Sequence, residues 1–476
     1  MLKKNSYLSF INGKWIEGNS NISIKNPCTG EFLGFLSDVG ESGAVKAIEA
    51  ANNAFELWRE TTAEERSFLL KKWFNLILKN KNVIAETITK ESGKPLKESL
   101  VEVTYGASFI EWFAEQATRS SGKILQSPEK NKKLMVIKQP IGVVSAITPW
   151  NFPMAMATRK TGAALAAGCT VVLKPSELTP ITALKLAELS IDAGIPKGVF
   201  NVVNGTPQPI GKVMSNHKFV RKITFTGSTR VGKYLMKEAS KSVKSISLEL
   251  GGNAPFIVLD DADIDDAVNG LVDSKFRNAG QTCISANRIF LHKSIHDNFI
   301  KKLKEKILSF KIGNGLKNSD IGPLISKKAI EKIELNVSDA IKKGAKILLG
   351  GKRHKAGKLF YEPSIITNVK KNMKVFREEN FGPIVPIINF TSIDEVIDLA
   401  NNTEYGLAAY FFTKNSKNLW KLSSKLEYGM FGVNTGKIST YLNPFGGLKE
   451  SGLGREGSEE GLEPFLEKKF ISWSVS

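Results

Sequence analysis

Apolar residues recur with two different periods along this 476-residue chain, and the change of period divides it. Near the start, Phe10-Ile11-Asn12-Gly13-Lys14-Trp15 reads as a hairpin. Ala44 to Trp58 and Ala63 to Lys79 then carry apolar side chains at helical spacing, and Gly93-Lys94-Pro95 breaks a third helix. The chain up to residue 122 therefore reads as mainly helical. From Leu134 onward short apolar runs take over: Leu134–Ile137, Gly142–Ile147, Thr170–Leu173, Val199–Val203, Lys222–Phe225 and Ile246–Glu249. An Ala-rich helix from Ala155 and another over Ile181–Ala193 alternate with them, which predicts a parallel, doubly wound α/β sheet. A second alternating series runs from Pro255–Leu259 to about Val433, long enough for its own α/β core. Gly251-Gly252, where the backbone bends freely, marks the expected boundary.

Length alone suggests about three domains, or two large ones with an insertion. A hydrophobic share of 42% is ample for a buried core. No apolar run reaches the ~18 residues that span a bilayer. Met1-Leu2-Lys3-Lys4-Asn5 has no apolar segment of signal-peptide length behind it, so a cytoplasmic location without membrane partners is expected. Three cysteines, Cys28, Cys169 and Cys283, make no disulfide framework; Cys169, among small residues, reads as a packing residue. The net charge of +20 invites a nucleic-acid reading, but the lysines are scattered, without a basic tail or zinc-finger spacing. No nucleic-acid partner is expected, and the positive field suits a small anionic substrate instead.

Candidate chemistry gathers in the second half. Cys283 follows the turn-forming run Gly280-Gln281-Thr282, and is read as standing at a loop-to-helix junction where free N–H groups stabilise a thiolate or an oxyanion. Glu249 closes an apolar strand before Gly251 and Gly252; apolar surroundings raise a carboxyl toward neutrality, where it serves as a general base. A capping role is the plainer alternative. Gly227-Ser228-Thr229-Arg230-Val231-Gly232-Lys233-Tyr234 nearly spells a P-loop, but Tyr234 stands where a hydroxyl must ligate magnesium. The segment follows a strand and opens a helix, so its backbone still suits a pyrophosphate. His292 and His296 are four apart, as a metal pair on a helix would be, but no acid lies between them and no metal site is expected.

These stretches, with Pro149-Trp150-Asn151-Phe152-Pro153, closely resemble the NAD(P)-dependent aldehyde dehydrogenase superfamily from about Phe10 to Gly461, and within it the succinate-semialdehyde dehydrogenases most. The resemblance implies two doubly wound α/β domains plus a small β oligomerisation element. The cofactor domain would comprise 1–122 and 141–251, the catalytic domain 252–441, and the oligomerisation element and tail 123–140 and 442–476. A homodimer or homotetramer would follow. It implies Cys283 as nucleophile, Asn151 as oxyanion donor and Glu249 as the base that hydrolyses the thioester. For the cofactor it implies Trp150, Lys174, Ser176, Glu177, Gly205, Gly227, Ser228, Leu250, Glu379 and Phe381. Glu177, able to accept from both ribose hydroxyls, favours NAD over NADP, with NADP as the alternative. Arg159, Arg277 and Ser439 match positions that bind a distal carboxylate; taken singly, each arginine also reads as a structural ion pair. The expected substrate is an aldehyde with a distal carboxylate, succinate semialdehyde, with glutarate semialdehyde one methylene longer. A second cysteine follows the nucleophile by two residues in some relatives; here Ser285 stands there, which removes that disulfide switch.

Overall fold

A computed structural model describes residues 6–475; Met1–Asn5 and Ser476 lie outside the described residues. Five short strands with buried apolar faces, Val143–Ile147, Thr170–Lys174, Phe200–Val202, Val220–Thr226 and Ser245–Glu249, run parallel at the centre of an eight-stranded sheet. Helices Pro153–Ala166, Ile181–Ala193, Pro207–Asn216 and Thr229–Ser240 connect them, as alternating periods require. The hairpin Ser9–Ile11/Lys14–Ile16 extends one edge antiparallel, turning through Asn12 and Gly13, both at positive φ. At the other edge lies Gly452–Leu453, so part of the carboxy-terminal segment joins this sheet.

A seven-stranded sheet forms the second half. Ser364–Thr367, Ile384–Phe390, Ala286–His292, Ala254–Val258, Ala408–Phe412 and Met430–Val433 are parallel neighbours, with Lys346–Leu349 antiparallel at one edge. Its core is rich in Ile, Val and Phe, as strands buried on both faces demand. The switch between the two sheets falls at Gly251–Gly252, between Ser245–Glu249 and Ala254–Val258. No helix among the described residues is long and apolar enough to cross a membrane.

Several expectations need correction. The amino-terminal region is not only helical after its hairpin: Ser6–Tyr7, Phe32–Asp38 and Ser20–Lys25 form a further three-stranded sheet, in which the alternating Ile22 and Ile24 turn inward. Leu134–Ile137 belongs to a longer strand, Lys132–Pro140, outside the doubly wound series. It pairs antiparallel with the tail strand Leu466–Ser474 along nine positions from Leu466↔Pro140 to Ser474↔Lys132. The tail thus pairs first within its own chain. Its far edge is free among the described residues, with Phe470 and Trp473 each 59% exposed. His292 ends a strand and His296 begins a helix, so the two do not share a helical face.

Helix Leu96–Ala117 ties the helical region to the first sheet through a buried ion pair. Lys94 bonds Glu102, whose other oxygen accepts from the N–H of Met154 at 2.9 Å, at the start of helix Pro153–Ala166. Glu102→Gln leaves the Lys94 ammonium buried without its counter-charge, and the expected loss is about 3–5 kcal/mol. Thermal denaturation of the purified variant reads this as a markedly lower midpoint; an unchanged midpoint would show that the pair contributes nothing.

Candidate active site

Between the two sheets lies a cavity of about 270 Å³. The loops after the parallel strands supply its wall, the usual position for a site in an open α/β sheet. Asn151 follows Val143–Ile147, Thr226 to Ser228 close Val220–Thr226, and Leu250 and Gly251 follow Ser245–Glu249. From the second half come Arg277, Cys283, Glu379, Phe381 and Ser439. A second cavity of about 600 Å³ shares Tyr105, Phe152, Arg277, Ile284 and Ser439 with it, so the two adjoin as a channel toward Lys97 and Lys437.

Cys283 sits in a turn between the 3-10 segment Arg277–Gly280 and strand Ala286–His292. The expected helix after it is absent because Ala286–Leu291 is a buried β run. Burial, with the charge of Glu379, pushes the Cys283 thiol up to about 12, against Arg159 and Arg277. Burial and these charges together favour the thiol over the thiolate.

The preceding turn is unusual: Asn278 (φ 51°) and Ala279 (φ 54°) are left-handed without being glycine, and Gly280 (φ 77°) continues the run. The N–H of Asn278 donates to Glu98 at 2.7 Å, and its Nδ2 to the carbonyl of Asn151 at 3.1 Å. Lys94 Nζ donates to the same carbonyl at 2.7 Å. Asn151 Nδ2 donates to the carbonyl of Gln281 at 3.1 Å, which occupies one of its two amide hydrogens. Gln281 in turn donates to the Asn278 carbonyl at 3.0 Å and accepts from the N–H of Ile325 at 2.9 Å. Asn151 and the Cys283 turn are thereby locked together. Gly252 is required beside them, since a Cβ there would collide with the Cys283 carbonyl.

Glu249 is 2% exposed but does not line the cavity. Burial first, as the sequence reading expects, and then the negative charge of Glu456 raise its carboxyl well above the usual carboxylate range, against Arg159 and Lys160. Both of its oxygens lack a partner among the described residues. Arg159, 1% exposed, lines the cavity and also forms the buried ion pair foreseen as its plainer role, with Nε 2.6 Å from Glu456. Arg277 lies 3.4 Å from Ser439 Oγ through both Nη atoms, with its guanidinium carbon 5.1 Å from the centre of the Phe152 ring.

Of the residues expected to hold a cofactor, Trp150, Gly227, Ser228, Leu250, Glu379 and Phe381 line the cavity; Lys174, Ser176, Glu177 and Gly205 do not. Trp150 and the left-handed Phe381 meet edge to face at 5.6 Å. Glu379 accepts from the N–H of Gly252 at 3.0 Å. Ser228 caps helix Thr229–Ser240 without a side-chain bond, which leaves the first helical N–H groups open to an anion. Thr226 Oγ1 beside them is buried without a partner. Lys174 Nζ lies 3.7 Å from Glu177, as two groups that share a ribose would. A dinucleotide fits these residues. Sequence reading missed Glu98, Glu102 and Tyr105, which recur at intervals of four and three along one face of helix Leu96–Ala117, and Glu456.

Comparison with known proteins agrees with this geometry. The profile of the aldehyde dehydrogenase family matches residues 15–471. A succinate-semialdehyde dehydrogenase [NADP(+)] of Escherichia coli K12 is 50% identical over 97% of both chains. A glutarate-semialdehyde dehydrogenase of Pseudomonas putida is 50% identical over 98% of both. The crystal structure of succinate-semialdehyde dehydrogenase from Burkholderia pseudomallei superposes with a TM-score of 0.98 at 47% identity, covering 98% of each chain. The Cys283 turn locked to Asn151, in a fold and sequence shared over nearly the whole length, makes this chain a member of the aldehyde dehydrogenase family.

Proposed function

We propose that this chain oxidises succinate semialdehyde to succinate with NAD, through a covalent thioester on Cys283. The observation that carries this reading is that Arg159, Arg277 and Ser439 open onto the same cavity as Cys283. Two guanidinium groups against an apolar aldehyde tail would be costly, whereas a carboxylate satisfies both with charge-assisted bonds.

The substrate carboxylate is held by Arg277, Ser439 and the free edge of Arg159, which leaves the aldehyde carbon to Cys283. The Cys283 thiol gives up its proton to water in the cavity, and attack by the sulfur forms a thiohemiacetal; its oxyanion accepts from the second amide hydrogen of Asn151 and from the N–H of Cys283. A bound dinucleotide would supply the hydride acceptor; Gly227, Ser228 and Thr226 would hold its pyrophosphate, Lys174, Ser176, Glu177 and Gly205 its adenosine end, and Trp150, Leu250, Glu379 and Phe381 its nicotinamide riboside. Collapse of the thiohemiacetal leaves a thioester on Cys283. Glu249, turned from its buried position toward the cavity, takes a proton from the water that cleaves the thioester and releases the acid, and Cys283 recovers its thiol.

Residues 1–122 and 141–251 serve as the cofactor domain and 252–441 as the catalytic domain. Within 123–140 and 442–476, the three-stranded sheet with its free Leu466–Ser474 edge and exposed Phe470 and Trp473 supports a homodimer or homotetramer. Nucleic acid and membrane form no part of this reading. Glutarate semialdehyde is the second reading, favoured by the Pseudomonas putida relative. A pocket separates a methylene by only ~1–3 kcal/mol, so both are expected to turn over.

Reduced-cofactor formation at 340 nm tests the substrate. Succinate semialdehyde should exceed butanal in kcat/KM by at least about thirtyfold, a desolvated charge pair being worth ~2 kcal/mol. Arg277→Leu should remove most of that advantage, and equal rates in the unaltered enzyme would remove the carboxylate clamp. Glu177→Ser should raise the NADP-to-NAD ratio of kcat/KM by about tenfold, because the carboxylate that repels a 2′-phosphate is gone. For the cofactor-free enzyme, a thiol raised to about 12 is almost wholly protonated at neutral pH. Alkylation of Cys283 by iodoacetamide, followed by peptide mass spectrometry, should climb about tenfold per pH unit from 7 to 10. A plateau near pH 7 would mean that the thiolate is already formed.

A further inference from the structure

Behind the cavity wall the chain closes a charge cluster that thioester chemistry alone does not explain. Arg159 and Lys160 are adjacent on helix Pro153–Ala166, every residue of which is buried. Both bond one carboxylate, that of Glu456, from the far end of the chain and itself 5% exposed. Arg159 Nε donates to Oε2 at 2.6 Å; Lys160 Nζ and Thr224 Oγ1 donate to Oε1, the latter at 3.2 Å. The backbone of Glu456 is fixed as well, exchanging two bonds of 2.8 Å with Phe445. The Phe445 ring centre lies 4.2 Å from the Arg159 guanidinium carbon. One edge of the guanidinium remains over: Nη1 is buried without a partner among the described residues, on a side chain that lines the reaction cavity.

Geometry and charge both make this more than a structural pair. A guanidinium held at Nε by a carboxylate and across its face by an aromatic ring has lost its rotamer freedom before any ligand arrives. Its remaining donors are thereby aimed in advance. Two cations and one carboxylate also leave the cluster one positive charge in excess, on side chains no more than 6% exposed. Glu249 does not bond to the cluster, since both of its oxygens are without a partner among the described residues. An anion that meets Nη1 from the cavity supplies the missing charge.

We propose that Glu456 is a positioning residue for substrate selection: through Nε it holds Arg159 so that the free Nη1 edge meets the distal carboxylate of the aldehyde. This rests on the reading of the cavity as a semialdehyde site. The residue makes no contact with substrate itself; it acts through Arg159, and the carboxylate preference depends on it.

The test compares kcat/KM for succinate semialdehyde and butanal in the unaltered enzyme, Glu456→Gln and Glu456→Asp. Because kcat/KM covers steps up to thioester formation, a change in the later work of Glu249 does not enter it. Glu456→Gln should cut the preference for the semialdehyde about tenfold or more, chiefly through a higher KM, with butanal affected far less. Glu456→Asp, which keeps the charge on a shorter arm, should recover part of the preference. A proportional fall for both aldehydes, or a preference fully retained in Glu456→Gln, would overturn the proposal while leaving the substrate reading intact. Absence of any preference in the unaltered enzyme sinks the substrate reading and this proposal with it. Should Glu456→Gln not fold, Glu456→Asp decides through inhibition of butanal turnover by succinate: a weaker inhibition constant supports positioning, and an unchanged one overturns it.

Discussion

Three successive left-handed residues, Asn278, Ala279 and Gly280, are the constraint on which the site depends. Only the third is a glycine, and each of the others costs on the order of 1–3 kcal/mol of backbone strain. Such a turn persists only where its surroundings over-determine it. Here Glu98 takes the Asn278 N–H, Asn151 takes its side chain, and Gln281 bonds back to its carbonyl. Arg277 enters this turn and Cys283 leaves it, so one strained segment fixes both the guanidinium and the sulfur in the cavity. Helix Leu96–Ala117 belongs to the same device, since its Glu98 and Glu102 reach the turn and the start of helix Pro153–Ala166 respectively.

Buried charge is used differently on the two sides of the cavity. Near Asn151, Lys94 and Glu102 neutralise each other and satisfy backbone groups, a closed arrangement that holds position. Behind Glu249, the three groups Arg159, Lys160 and Glu456 do not sum to zero. Burial would lift the carboxyl of Glu456, yet Lys160 and Arg159 hold it down to about 2, so it stays ionised throughout the physiological range. The same carboxylate, after burial, raises the carboxyl of Glu249. A single side chain thus acts on both Arg159 and Glu249, because in a low-dielectric interior neighbouring charges are screened weakly.

Much of the fold is legible in the chain because it follows from local periodicity. Helices Ala63–Lys79 and Ile181–Ala193 fall where the apolar spacing puts them, and the parallel strands appear as short apolar runs bounded by turns. The sheet of Ser6–Tyr7, Phe32–Asp38 and Ser20–Lys25 escapes this reading because its strands are short and lie among turn residues. The helix expected after Cys283 fails for a related reason: an apolar run such as Ile284–Leu291 has no period that separates a buried strand from a helix.

By itself the sequence determined the residue chemistry: a cysteine after a tight turn, a carboxyl closing a strand, an asparagine between two prolines, and the family they mark. Motifs of this kind are local, and their meaning survives without coordinates. Tertiary structure alone decided how those groups are charged and aimed. That Arg159 keeps one edge free depends on Glu456, which is 297 residues away. How Glu456, Arg159 and Lys160 act on the Glu249 carboxyl, and that Cys283 is a half-buried thiol rather than a ready thiolate, depend on which helices and loops close over them. Electrostatics and burial are sums over everything nearby in space, and neighbours in space are what a linear sequence does not state.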